Sequence, residues 1–259
     1  MPAAPPADLD ISLTLYSNPG CPYVHRALTT LHELSLPFKS VHIDLEAPRP
    51  ASYLAVNPRG TVPALTFSTS SDKKEVVVNE SLVIIYFLAD LFPNHLIPSA
   101  GPGNVSAAAE RARIFYFIDT WGSKVSSALM KVFLASAAGA EGGEAAVDAV
   151  IEVIQKEMDP LLKREEGDGD GPFLGGRHEV TLAEIAVAPF VLRNFAWVAS
   201  GLAPASLKER ILALEHFGPW AAEIIKNENL VKEFDEATFV EKSKAKLQAF
   251  REGSFKPKV

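Results

Sequence analysis

The chain has one cysteine in 259 residues, Cys21. That excludes an intrachain disulfide and any cysteine-rich zinc site, and it suits a reducing compartment. Basic charge is in the minority. With 25 Lys and Arg against 32 Asp and Glu, the formal net charge of -7 argues against a nucleic-acid footprint. Long apolar runs are scarce too: the most apolar, "SLVIIYFLADLF", is too short to span a bilayer and carries Asp90. The stretch "MPAAPPADLD" has neither the basic nor the apolar region of a secretory signal and reads as a flexible arm over residues 1–10. The six histidines show no H-E-x-x-H spacing, so no metal is expected. "EGDGDG" imitates a calcium loop beginning at Glu166, but the twelfth position is Arg177 where a bidentate Glu is required. The locally basic "EKSKAKLQAFREGSFKPKV" reads as a solvated final helix and tail. The expectation is a soluble, cytoplasmic protein with no nucleic-acid or membrane partner.

What is present is a change of hydrophobic period along the chain. "ISLTLYS" alternates as a strand does, and from Pro22 the residues Val24, Ala27, Leu28, Leu31 and Leu34 recur at helical spacing. "FKSVHIDL" is a second strand, which gives a β-α-β unit with a parallel pair. After a short helical or irregular segment, "TVPALTFS" and "EVVVNE" read as a hairpin across "TSSDKK", and "SLVIIYFLADLF" as a helix. This first domain spans residues 11–92. A Pro- and Gly-rich linker follows over 93–103, and 104–259 is helical in pattern. Helices are expected near Val105–Ala138, ending at "GAEGGE", then near 144–165, 181–199, 206–226 and 228–251. "TLAEIAVAPFVLRNFAWVA" is apolar all round and reads as a buried central helix, kinked or ended near Pro189. Thr181 and Glu184 have capping-box spacing, with Val180 and Ile185 at the staple positions.

Cys21 stands where the first helix begins, after the turn Asn18-Pro19-Gly20 and before Pro22, which suits a first helical position. Unpaired N–H groups and the positive dipole end favour thiolate there, and thiolate is the nucleophile. Arg26 adds positive field. The residue three after Cys21 is Val24, so this is not C-x-x-C. A thiol without a resolving partner needs a second thiol from outside. Tyr16 and Ser17 are rival activators, and His25, four residues on, is either a base or a packing residue. In "NPRGTVPAL", Pro63 marks an edge-strand start or a cis peptide, and a cis bond would offer the Val62 backbone to an extended peptide. "NES" places Glu80 and Ser81 at a helix start, where a carboxylate and an ammonium find partners.

Taken together, "CPYVHR", "NPRGTVPAL" and "NES" resemble the glutathione transferases, specifically the cysteine-type, omega-like (lambda-like) class. The resemblance implies an α/β thioredoxin-like N-terminal domain, an all-α C-terminal domain and a homodimer. It implies glutathione as co-substrate, with Cys21 forming the mixed disulfide, the Val62 backbone before Pro63 pairing with the cysteinyl part, and Glu80 and Ser81 holding the γ-glutamyl end. It sets Arg49 near the glycine carboxylate and Trp220 near the hydrophobic-substrate site. The implied activity is glutathione-dependent thiol transfer or reduction, of glutathionylated thiols or a dehydroascorbate-type substrate. Conjugation of glutathione to an electrophile, and a non-catalytic glutathione-binding module, are the alternatives.

Overall fold

The computed structural model describes residues 11–69, 75–92, 94–99, 101–138 and 140–254. The expected arm over 1–10, most of the "TSSDKK" loop and the last five residues of the tail lie outside them.

Strand β1 (Ile11–Ser17) turns Leu13, Leu15 and Ser17 inward, as its alternation requires. Helix α1 (Pro22–Glu33) leads to β2 (Lys39–His42), which pairs parallel with β1, Tyr16 opposite Val41. After α2 (Ala51–Val56), β3 (Ala64–Thr69) runs antiparallel to β1 with Leu15 opposite Leu65. Strand β4 (Val76–Asn79) returns antiparallel to β3, completing the expected hairpin, and α3 (Ser81–Leu91) packs on α1. The sheet order is β2-β1-β3-β4. β2 is shorter than its apolar alternation predicts. The Asp44 carboxylate accepts the Glu46 N–H at 2.8 Å, and this Asx turn ends the strand although Ile43 N still donates to Ser17 O at 2.8 Å.

By contacts the described residues form two compact units, and the division falls between Arg111 and Ala112, inside helix α4 (Val105–Thr120). The first unit also takes Glu228–Phe234, from much later in the chain. Helix α10 (Glu228–Val231) carries this segment, which docks on α1: His25 Nε2–H donates to the Leu230 carbonyl at 2.9 Å, and His32 Nε2 lies 3.0 Å from the Glu233 carboxylate.

The second unit is helical. A π-turn over Trp121–Val125 joins α4 to α5 (Ser126–Ala138). Helix α6 (Ala140–Val153) begins earlier than the glycines of "GAEGGE" suggest. A Cβ on Gly143 would stand 3.0 Å from Pro204 Cγ, so this glycine is there for close packing and does not break the helix. Helix α7 (Leu182–Ala199) is the expected central helix. It has the length and apolarity of a membrane span, yet 83% of it is buried inside the protein. It continues ten residues past Pro189, where the Pro189 carbonyl accepts from Arg193 Nη1 at 2.8 Å. The expected 206–226 helix divides into α8 (Ala205–Leu212) and α9 (Phe217–Ile224), because the buried Asp159 carboxylate takes the His216 and Phe217 N–H groups and starts a new helix there. Likewise Asp235 accepts the Thr238 N–H and begins α11 (Glu236–Arg251).

The capping box forms as its spacing predicts. Thr181 Oγ1 accepts the Ala183 N–H at 3.1 Å, and Glu184 Oε2 accepts from the Thr181 N–H at 2.7 Å and its hydroxyl at 2.6 Å. The other oxygen, Oε1, accepts from Leu174 N at 3.0 Å and from the Trp220 indole N–H at 2.8 Å. Glu184 is wholly buried with four donors on its carboxylate. Trp220 packs between Phe117 and Phe217, with centroids at 5.4 and 5.0 Å. We expect Thr181→Ala to cost about 1–2 kcal/mol in urea unfolding. Glu184→Leu strands several donors at once and should cost more, about 3 kcal/mol or above. The two losses should fall short of additive, because both act through Oε2.

Candidate active site

The site is built where three connections of the first unit converge. The first is the turn between β1 and α1. Asn18 accepts the Gly20 N–H on its side chain (3.3 Å) and the Cys21 N–H on its carbonyl (3.0 Å), while its Nδ2 holds the Ile43 carbonyl at 3.0 Å. The chain therefore leaves the sheet and enters the helix within four residues. Cys21 is the N-cap of α1, with φ -83° and ψ 124°, and Pro22 follows. No side chain caps this helix and its first turn holds no acidic residue, so its N-terminal N–H groups face the thiol's end of the helix.

The second connection is the loop from α2 to β3. Buried Asn57 organises it by donating to the Thr61 carbonyl at 2.8 Å and accepting the Arg59 N–H at 3.2 Å; the Tyr53 hydroxyl donates to the same carbonyl. The Val62–Pro63 peptide is cis. Cys21 Sγ points at the Val62 carbonyl oxygen, 3.8 Å away. Behind both lies an apolar cluster of Val24, Ile43, Tyr53, Val62 and Ala64, against which Cys21 is packed, partly exposed.

The third connection joins β4 to α3. Glu80, the residue before α3, has φ 72° and ψ 125°, a left-handed conformation that only glycine adopts without strain. Its carboxylate meets Arg59 Nη1 at 2.6 Å. Both partners are largely exposed, at 73% and 57%, so this pair is weakly held. Ser81 is buried, and its Oγ accepts from Arg26 Nη1 at 3.1 Å. Arg26 itself is buried, and desolvation lowers its pKa from the ordinary 12.5 to about 10. It remains a cation at neutral pH.

Three contacts thus bring together most of the residues expected from sequence: Cys21 to Val62, Arg26 to Ser81, and Arg59 to Glu80. Arg49 braces the same loop from behind. Its Nε donates to the Gly60 carbonyl at 2.8 Å and its Nη1 to those of Asp44 and Ala47 at 2.9 and 2.6 Å. Gly60, at φ +64°, lets the Arg49 stem lie across it. Trp220 belongs to the helical unit, 2% exposed, and borders a cavity of about 620 Å³ there with Phe173, His216 and Pro219. Of the rival activators, the Ser17 hydroxyl bonds Ser40 at 2.9 Å, and the Tyr16 ring packs on Tyr53 at 5.3 Å. His25 is buried with Nε2 on the Leu230 carbonyl, which fits packing. Among the described residues no group of three or more His, Cys, Asp or Glu is arranged to hold a metal ion. Sequence reasoning missed the Arg59–Glu80 pair, whose partners stand 21 residues apart with no shared motif.

Residues 20–91 match the family model described as "Glutathione S-transferase, N-terminal domain". Most of the chain is similar to solved omega-class glutathione transferases of Trametes versicolor. Glutathione transferase Omega 2C superposes with a TM-score of 0.69 at 25% identity, covering 92% of this chain and 99% of that one. This is the glutathione transferase fold. Omega 1C from the same organism gives a TM-score of 0.67 at 27% identity, over 92% and 97% of the two chains. "Probable glutathione S-transferase DHAR4" of Arabidopsis thaliana is 27% identical over 169 residues, and the match spans 65% of this chain and 65% of that protein. Each of these similarities is to a protein of the glutathione S-transferase superfamily. In its terms, the four-stranded sheet with α1 to α3 is the thioredoxin-like part and the helical unit the C-terminal part.

The Glu80 backbone carries a test of its own. Glu80→Ala and Glu80→Gly both delete the carboxylate, but glycine alone relieves the backbone. Glu80→Gly should therefore be the more stable of the two by about 1 kcal/mol in urea unfolding.

Proposed function

We propose that the protein is a glutathione-dependent thiol transferase of omega-like type, acting through Cys21. The observation that carries this reading is the placement of the thiol at the uncapped start of α1, aimed at the Val62 carbonyl beside the cis peptide. The helix start favours thiolate. The Val62 backbone offers strand-like hydrogen bonds to the cysteinyl part of glutathione. The start of α3, with Ser81 and Glu80, offers a donor for its α-carboxylate and an anion for its ammonium.

In the reaction the Cys21 thiolate attacks the glutathione sulfur of a mixed disulfide. The Cys21–glutathione S–S bond forms, the substrate S–S bond breaks, and the substrate leaves as a thiolate that takes up a proton. A second glutathione, as thiolate, attacks the sulfur of the bound glutathione and leaves as the oxidised dimer, restoring the Cys21 thiolate. Because this chain has no second cysteine, the resolving thiol comes from solution. A reducing, cytoplasmic setting with abundant glutathione fits that requirement.

Incubation with oxidised glutathione should add one glutathione to the intact protein, lost on reduction, and mass spectrometry of peptides should place it on Cys21. Cys21→Ser should abolish both the adduct and the thiol-transfer activity. An unmodified wild-type protein under every redox condition would overturn the mechanism. Conjugating activity that persists or rises in Cys21→Ser would mark an electrophile-conjugating transferase instead. A homodimer completes the proposal. The exposed Val76 and Val77 of edge strand β4 and Val83 of α3 supply apolar surface for it, and light scattering should return twice the chain mass.

A further inference from the structure

Arg26 is a guanidinium buried to 5% exposure between two parts of the site. It sits on α1, five residues past the thiol, and its Nη1 donates to Ser81 Oγ on α3 at 3.1 Å. Its plane lies over the Tyr23 ring, 5.4 Å from the centroid. Tyr23, Tyr86 and Cys21 are titratable groups close enough to interact with it.

Two physical points follow from this placement. A guanidinium has five N–H donors and no acceptor, so in the bond to Ser81 the hydroxyl oxygen must accept. The Ser81 hydrogen is left to donate elsewhere, and a hydroxyl that is already accepting from a cation is a stronger donor. Such a hydroxyl suits an anion, a carboxylate above all. Second, a buried cation is weakly screened, so its charge reaches the neighbouring thiol more strongly than a surface lysine at equal distance.

We propose that Arg26 is a positioning residue serving both halves of the site: it orients and polarises the Ser81 hydroxyl as a carboxylate donor, and its buried charge favours the thiolate of Cys21. The carboxylate half rests on the glutathione reading above; the thiolate half does not. One buried charge then couples the two ends, so that ligand recognition at Ser81 and nucleophile activation at Cys21 depend on the same group.

The other titratable groups around the thiol do not mimic this effect. Tyr23 lies on α1 and Tyr86 on α3, and Tyr16 and Tyr53 belong to the apolar cluster behind Cys21. A phenol carries no positive charge in either protonation state, so none of them stands in for a guanidinium. His25 turns its Nε2 to the Leu230 carbonyl. Glu80 and Arg59 are paired with each other at the protein surface.

The test uses the full-length protein and two readouts. The first is the pH–rate profile for alkylation of Cys21 by iodoacetamide without ligand. The second is the affinity for S-methylglutathione, which cannot form a disulfide. Arg26→Met keeps the volume and removes the charge. It should move the alkylation profile about one unit to higher pH, a change of about tenfold in thiolate at a given pH below it. It should weaken S-methylglutathione about tenfold in the wild-type background and much less in a Ser81→Ala background, because the two act as a unit. Arg26→Lys, which keeps a charge in the same slot, should hold the alkylation profile near wild type while losing part of the affinity. It also serves if Arg26→Met does not fold. An alkylation profile that Arg26→Met leaves in place, or that Arg26→Lys moves as far as loss of the charge should, overturns the thiolate half. Losses in affinity that add fully across Arg26 and Ser81 overturn the route through the hydroxyl. If the wild-type protein does not bind S-methylglutathione, the glutathione reading fails while the alkylation profile still judges Arg26.

Discussion

The carboxylate of Glu184 is the fixed point of the helical unit. It sits in the first turn of α7 with no exposure to solvent, and it accepts hydrogen bonds from Thr181, Leu174 and Trp220. Removing a charge from water is costly unless every lone pair finds a donor and the local field is positive. The helix N-terminus supplies the field, and the four donors supply the partners. In return the carboxylate fixes the start of α7, the approach of the 173–176 segment and the orientation of Trp220. The aromatic cluster of Phe117, Trp121, Phe217 and Trp220 is assembled around that last bond.

The first unit uses the opposite sign in a similar way. Arg26 is the buried charge there, and it ties the helix that carries the thiol to the helix that begins with Ser81. Around it, three polar side chains hold backbone. Asn18, Asn57 and Arg49 each bond carbonyls or N–H groups of the loops they sit in. The thiol, the cis peptide and the α3 start are therefore placed by loops whose shape is set internally.

Local chemistry was legible in the sequence wherever its partners are close along the chain. The Cys21-Pro22 helix start, the alternation of β1 and the Thr181–Glu184 capping box are each decided within a few residues, and each is found where its pattern puts it. Contacts between distant residues were not legible. Arg26 meets Ser81 across 55 residues and Trp220 meets Glu184 across 36, with no pattern to join them. The same holds for two element boundaries. Helix α6 starts before its glycines because Gly143 packs on Pro204, far along the chain. The apolar alternation past His42 does not continue as strand because Asp44 closes a turn. Trp220 and Arg49 were assigned by resemblance alone; the structure gives the first a core position and the second a loop to brace.

The docking of residues 228–234 on α1 has a consequence for how the molecule is made. The thiol-bearing unit is discontinuous: its last segment is encoded after most of the helical unit. During synthesis the sheet and α1 emerge first, but Leu230 and Glu233, which contact His25 and His32, arrive only after residues 112–227. The first unit therefore completes its packing only after the intervening chain has been made. A fragment cut at the linker would reproduce the sheet and the motifs yet leave the flank of the helix behind the thiol uncovered.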